Sequence, residues 1–125
     1  MKKILIIEDE KDIVDIATMI LEDEGYEVSS LEEFEGFENK LHSSHADLVL
    51  LDLNLNGYSG ANICKYIKGN PQLREMPVVL MSANRNIHAV KEEAGADGYI
   101  CKPFDLVDFI NIVKAHVNKR SYSLV

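Results

Sequence analysis

The chain has few of the residues and segments that mark secreted, disulfide-bonded or membrane-spanning proteins. It has no tryptophan, three prolines and only two cysteines, Cys64 and Cys101, among 125 residues. Two distant cysteines form no disulfide framework and no zinc or redox spacing. We therefore interpret both as small core residues and expect a cytoplasmic protein.

Long apolar runs are also absent. Runs such as Ile4–Ile7 and Leu48–Leu51 fall far short of the roughly 20 residues that cross a bilayer. The run after Met1 is too short for the apolar core of a signal peptide, so we interpret it as a first strand. Basic residues are outnumbered, with 13 Lys and Arg against 21 Asp and Glu and a net charge of −8. This balance argues against unaided nucleic-acid binding and favours protein or cation partners.

What the sequence does contain is an alternation of short apolar runs with segments of helical spacing. Strands are predicted at 2–7, 26–29, 47–51, 77–81 and 99–101. The first predicted helix ends at Gly25, and three more are predicted at 31–42, 61–68 and 86–94. In the first, the predicted core positions are Ile13, Ile16, Ala17, Ile20 and Leu21, which leaves Val14 outside. A fifth and last helix is predicted near the end of the chain, with core positions at Leu106, Phe109, Ile110, Val113 and Val117.

This alternation predicts a parallel sheet with helices on both faces. At this length the common arrangement is the flavodoxin-like (βα)5 doubly wound sheet with strand order 2-1-3-4-5. Ligands of such sheets bind beyond the carboxyl ends of the strands, close to the switch point between strands 1 and 3.

Polar side chains follow four of the predicted strands at that edge. They are Glu8, Asp9, Asp52, Ser82 and Lys102. Three carboxylates held close together repel one another, which raises their pKa values unless a cation is bound. Because oxygen ligands of this kind suit Mg²⁺, with Mn²⁺ as an alternative, we predict a metal site there.

The same cluster favours one type of reaction. A carboxylate attacks phosphorus without needing a general base, because it has no proton to lose, and forms an aspartyl phosphate. A cation, Lys102 and the Ser82 hydroxyl would then hold the phosphoryl oxygens. The four histidines lie away from the cluster. We expect His42 and His45 in a solvated loop, and His88 and His116 on exposed helix faces.

Four motifs together resemble the response-regulator receiver domain, the CheY-like family. They are IIEDE (6–10), DLVLLDLNLNGYSG (47–60), PVVLMSA (77–83) and GYICKPF (98–104). The resemblance covers essentially the whole chain in order. It implies a single receiver domain over residues 1–125 with no output domain in this chain, whether it acts alone, in a relay or as part of a longer protein.

The resemblance also implies a role for each site residue. Asp52 is the expected phosphoacceptor, and Asp9 is the main Mg²⁺ ligand. Glu8 is expected to act on the metal directly or through water, and Asn54 to offer its backbone carbonyl. Asn54 and Asn84 stand where the family tunes dephosphorylation.

The remaining roles implied by the resemblance concern switching. Ser82 and the backbone of Ala83 are expected to contact the phosphoryl group, together with Lys102. Tyr99 is the expected aromatic switch, which turns inward when the Ser82 hydroxyl moves. The family has a cis peptide where this chain has Lys102-Pro103.

The sequence departs from the family pattern in places. Glu8 stands for the commoner Asp, Asn56 for a frequent Pro, and Ser82 for Thr. The implied partners are a histidine kinase or phosphotransfer protein, which docks on the first helix, and an unknown downstream protein. The expected output face comprises the fourth helix, fifth strand and fifth helix, and a homodimer through that face is a further implied arrangement.

Two other function classes were weighed on the residues. A phosphohydrolase with an aspartyl-phosphate intermediate, of the haloacid-dehalogenase type, has a second acid two residues after its nucleophile. This chain has Asn54 there, which argues against an enzyme. A flavodoxin-like electron carrier needs a phosphate-binding loop after the first strand, but the acidic run 8–10 would repel the flavin phosphate.

Overall fold

The computed structural model describes residues 1–119, which contain seven strands and five helices. The strands are β1 (Lys3–Ile7), β2 (Glu27–Leu31), β3 (Leu48–Asp52), β4 (Asn54–Leu55), β5 (Tyr58–Ser59), β6 (Val78–Ser82) and β7 (Gly98–Cys101). The helices are α1 (Lys11–Asp23), α2 (Phe37–Ser44), α3 (Gly60–Gly69), α4 (Ile87–Ala94) and α5 (Leu106–His116). Within residues 1–119, no helix combines the length and the apolar character needed to span a bilayer.

The central sheet has five strands in the order β2-β1-β3-β6-β7, and all neighbours are parallel. This order is the predicted one, because β6 and β7 are the fourth and fifth strands of the sequence pattern. Residue Ile7 of β1 pairs with Leu51 of β3, and Asp52 pairs with Met81 of β6. The carboxyl ends of these strands therefore meet at one edge.

The sheet separates two hydrophobic cores. On one face, Leu41, Ile63 and Ile87 of α2, α3 and α4 pack against the strands. On the other, α1 and α5 pack through residues such as Leu21 and Phe109. Every residue of β3 and β6 is buried, since both faces of these central strands are covered.

Two predicted helix faces were partly wrong. Val14 is 5% exposed and belongs to the core, whereas Ile16 is 55% exposed. The buried positions of α1 are Val14, Ala17 and Leu21. Apolar residues occupy two adjacent stripes of α1, so periodicity alone did not distinguish the packed stripe. On α5, Leu106 is likewise 54% exposed, although Phe109, Val113 and Val117 are buried as expected.

The second predicted helix was misplaced. Leu31 ends β2, and α2 begins only at Phe37. Gly36 precedes the helix with φ 74°, in the left-handed region that a right-handed helix does not continue through. Gly36, which lies inside the predicted 31–42 helix, is therefore the residue before which no helix forms in that range.

The predicted loop at 54–60 contains a small antiparallel hairpin, β4 with β5. Asn56 and Gly57 both have positive φ, 29° and 94°, as a tight primed turn requires. Leu55 is buried in the core, and Tyr58 makes an edge-to-face contact with Phe34 at 5.7 Å. The segment after Asp52 is thus anchored.

Three expectations about single residues were also wrong. Cys64 is buried as predicted, but Cys101 is exposed because it is the last residue of the edge strand β7. His116 is buried, with Nδ1 2.9 Å from the Ile112 carbonyl oxygen. His42 lies in α2 with Nε2 3.2 Å from the Tyr66 hydroxyl, whereas His88 is exposed as expected.

Gly60 provides a test of how the end of β3 is held. Its N–H donates to the Leu53 carbonyl oxygen at 2.9 Å, and an added Cβ would overlap the Asp52 carbonyl oxygen. Backbone atoms cannot rotate away, so Gly60→Ala should lower the free energy of unfolding by about 1–3 kcal/mol in urea denaturation. Gly69→Ala is the control, because nothing lies within 4 Å of its added Cβ. Equal effects of the two changes would contradict this account.

Candidate functional site

The carboxyl ends of four strands bring together the predicted site residues. Glu8 and Asp9 directly follow β1, and Asp52 is the last residue of β3. Ser82 ends β6, and Lys102 follows the last residue of β7. Since the strands are parallel and adjacent, these side chains share one edge of the sheet.

Three carboxylates form the acidic part of the site. Glu8, Asp9 and Asp52 each place one oxygen so that all three lie within 4.8 Å of one another. Glu8 is fully buried and Asp52 is 5% exposed. Burying ionised carboxylates this close together is unfavourable unless positive charge is nearby.

Lys102 supplies part of that charge. Its Nζ donates to Asp52 Oδ2 at 2.7 Å and to Glu8 Oε2 at 2.9 Å. Burial alone would lower the pKa of Lys102, but the hydrogen bonds and charges of Asp52 and Glu8 outweigh it, and the pKa is raised. The amine therefore stays protonated. The Lys102-Pro103 peptide bond is cis, the geometry that the resemblance implies.

The charge of Lys102 does not balance the site. Burial raises the pKa of Glu8 from 4.5 to about 7, and the neighbouring Asp52 adds to the rise more than Lys102 opposes it. An excess of negative charge thus remains at the edge of the sheet, as the sequence predicted for closely spaced carboxylates.

The donor set fits a hard divalent cation. Three carboxylate oxygens within 4.8 Å of one another suit Mg²⁺, which prefers oxygen ligands. Glu8, Asp9 and Asp52 would hold it. The Asn54 backbone also meets the site, because its N–H donates to Asp52 Oδ1 at 2.9 Å.

Ser82 is buried, and its hydroxyl is engaged by the following loop. Its Oγ accepts a hydrogen bond from Asn84 N at 2.9 Å, and the Asn84 side-chain oxygen accepts one from Asn86 N at 2.8 Å. Ala83 and Asn84 are exposed beside it. The hydroxyl is thus near the strand end but bonded to its own loop.

Tyr99 lies on β7, opposite Leu80 of β6, and is half-buried. Its ring contacts that of His88 on α4, with centroids 5.7 Å apart and planes at 67°. The sequence placed Tyr99 in the strand correctly. It gave no sign of the His88 contact, which depends on how α4 packs on the sheet.

Two features of the site were not predicted from the sequence. Gly60 allows α3 to begin directly against the Asp52 backbone. Glu8 was predicted to act on the metal, but its pairing with Lys102 was not, and it is the most buried of the three carboxylates. Gly60 within the motif 47–60 was the available signal for the first; no pattern signalled the second.

The raised pKa of Glu8 sets the direction of a pH effect. Glu8 binds its proton more tightly in the folded state than in the unfolded chain, so its contribution to stability is lost as pH rises from 4.5 through about 7. Without divalent cations, the free energy of unfolding should fall by about 2–3 kcal/mol across that range. Glu8→Gln should remove this fall, and saturating Mg²⁺ should offset it in the wild type.

The measurement is urea denaturation at a series of pH values with and without Mg²⁺. Glu22→Gln is a matched control, because Glu22 is an exposed acid at the far end of α1. It should keep the wild-type pH dependence. Parallel curves for wild type and Glu8→Gln would show that Glu8 is not the titrating group.

Comparisons with known proteins agree with this geometry. A family model described as "Response regulator receiver domain" matches residues 4–114. The phosphate regulon transcriptional regulatory protein PhoB of Escherichia coli K12 is 33% identical over 122 residues, which cover 96% of this chain and 53% of PhoB. The chain therefore spans about half the length of the curated relatives it matches.

Solved structures are also similar. The signal receiver domain of a signal transduction histidine kinase from Syntrophus aciditrophicus has a TM-score of 0.86 and 29% identity, covering 100% of this chain and 98% of that one. Chemotaxis protein CheY4 of Vibrio cholerae, at 21% identity, shares the fold with a TM-score of 0.84, covering 93% of this chain and 98% of its own. The chain belongs to the response regulator receiver domain family.

Proposed function

We propose that this receiver domain accepts a phosphoryl group on Asp52 in a Mg²⁺-dependent reaction, from a histidine kinase or phosphotransfer protein. One observation carries the proposal: Lys102 Nζ contacts Asp52 and Glu8 within a cluster of three carboxylates. A structural ion pair would need one acid, whereas this lysine faces an excess of them. We also place the protein in the cytoplasm, since both cysteines are free thiols.

Hydrogen bonds to both of its carboxylate oxygens orient Asp52 for attack. Oδ1 accepts a hydrogen bond from the Asn54 N–H, and Oδ2 accepts one from the Lys102 ammonium. A carboxylate oxygen forms the bond to phosphorus while the bond from phosphorus to the donor breaks, and the donor nitrogen or oxygen keeps that electron pair. A Mg²⁺ ion held by Glu8, Asp9 and Asp52 would offset negative charge on the phosphoryl oxygens.

Lys102 changes partner in this reaction. Before transfer its ammonium is shared between Asp52 and Glu8. Afterwards Asp52 is an acyl phosphate, and the negative charge lies further out, on the phosphoryl oxygens. The ammonium follows that charge, and the backbone N–H of Ala83 and the Ser82 hydroxyl turn to the same oxygens.

The movement of Ser82 is the switch. Its hydroxyl must leave the Asn84 N–H to reach the phosphoryl group. Tyr99 then turns inward into the space released, and the face formed by α4, β7 and α5 changes shape. A downstream protein or a second copy of the chain reads that face.

Asn54 and Asn84 tune the return reaction. Both are exposed, Asn54 beside Asp52 and Asn84 beside Ser82, and neither supplies a base for an attacking water. The absence of an acid at Asn54 also argues against sustained phosphoester turnover. We therefore assign a signalling domain, whose only chemistry is its own phosphorylation and dephosphorylation, and not an electron carrier.

An apolar groove beside the acceptor suits docking of the phosphodonor protein. It has a volume of about 470 Å³ and is bordered by Ile13, Ile16, Ile20, Pro103 and Phe104, and also by Lys102. Ile16 is 55% exposed. The apolar face of a helix that carries a phosphohistidine would fill this groove and present its phosphoryl group to Asp52.

Phosphorylation itself is tested with Mg²⁺ and a small acyl phosphate, followed by intact-mass measurement. The wild type should gain one phosphoryl group, and chelation of Mg²⁺ should prevent it. Asp52→Asn should abolish it, because the amide is not nucleophilic. Asp23→Asn, an exposed aspartate at the far end of α1, should react normally. Undiminished modification of Asp52→Asn would refute the assignment.

Docking is tested by comparing two donors. Ile16→Glu should slow transfer about ten-fold or more from whichever purified histidine kinase of a panel phosphorylates the wild type, because a charge enters the groove. Its reaction with the small acyl phosphate should not change. Val107→Glu is the control, since Val107 is 65% exposed and does not border the groove. Equal slowing with both donors would place Ile16 outside the docking surface.

A further inference from the structure

The two side chains that move in the proposed switch are held by one short segment. Ser82 Oγ accepts from Asn84 N at 2.9 Å, and Asn86 N donates to Asn84 Oδ1 at 2.8 Å. His88, two residues further on in the first turn of α4, contacts the Tyr99 ring. The segment 84–88 therefore touches both ends of the switch.

The ring contact opposes inward movement of Tyr99. The centroids are 5.7 Å apart and the planes meet at 67°, the edge-to-face geometry that aromatic pairs favour. Tyr99 is half-buried and packs at the edge of the core beside α4. For its ring to turn toward the space near Ser82, this contact must break.

His88 has no other role among the contacts of residues 1–119. Its side chain is exposed, and its ring contact with Tyr99 joins it to the sheet. The ion pairs of α4 are made by Lys91, Glu92 and Glu93. Its interaction with Tyr99 is therefore separable from the packing of the helix, which Ile87 and Ala94 supply.

We propose that His88 is a positioning residue that holds Tyr99 in its resting orientation and so sets how readily the domain switches. The inference rests on the proposed role of Tyr99. An aromatic contact of this kind biases a two-state equilibrium by about two- to ten-fold. Without it, the active orientation should be populated by that factor more before phosphorylation.

The test follows Tyr99 by fluorine NMR of protein labelled with 3-fluorotyrosine, with its signal assigned by loss in Tyr99→Phe. In His88→Ala the signal should move toward the position that the wild type takes with Mg²⁺ and a small acyl phosphate. The rate of modification by that donor should rise about two- to ten-fold. His88→Phe keeps a ring and should restore wild-type behaviour, and Glu92→Ala on the same helix should change neither.

The outcomes separate the two levels of the argument. If the Tyr99 signal of the wild type does not respond to phosphorylation, the proposed switch and the role of His88 both fail. If it responds but is unchanged in unphosphorylated His88→Ala, only the role of His88 fails. Equal behaviour of His88→Ala and His88→Phe would exclude the ring contact as the cause.

Discussion

The candidate site depends on an excess of negative over positive charge at one edge of the sheet. A single ammonium, that of Lys102, faces carboxylates whose oxygens gather within 4.8 Å. Burial, and after it the neighbouring Asp52, raises the pKa of Glu8 to about 7, and Lys102 only partly opposes this rise. An excess of buried negative charge favours the binding of a cation. It also favours a reaction that places negative charge further from the buried carboxylates and closer to solvent.

The packing of the fold holds these carboxylates close together although they repel one another. Parallel strands place the polar ends of β1, β3, β6 and β7 at one edge, while every residue of β3 and β6 is buried between two helical layers. The packed sheet holds the carboxylates in place despite their repulsion. The groups that move in the proposed switch lie at the ends of these strands and in the loops that follow, where hydrogen bonds such as Asn84 N to Ser82 Oγ hold them.

The strand order and the membership of the site could be predicted because both depend on local patterns. A buried strand that ends in a charge is visible in the sequence, and parallel order brings such ends together. The details that failed depend on contacts between elements. Val14 and Ile16 lie on adjacent apolar stripes of α1, and only the packing of the helix on the sheet determines which of them is buried. Cys101 is exposed because β7 is an edge strand, and His116 is buried because Gly98 leaves room for its ring.

The same distinction separates the groups proposed to react from the groups proposed to govern the switch. Asp52 and Lys102 are specified by their positions in the sequence, and their contact follows from strand order. In the switch that we propose, how easily the domain changes state depends instead on weak contacts of one loop and one helix turn, at Asn84 and His88. Because each such contact biases an equilibrium by only a small factor, substitutions there adjust the switch without removing the chemistry. Members of one family can thus share an acceptor site and still differ in their resting state.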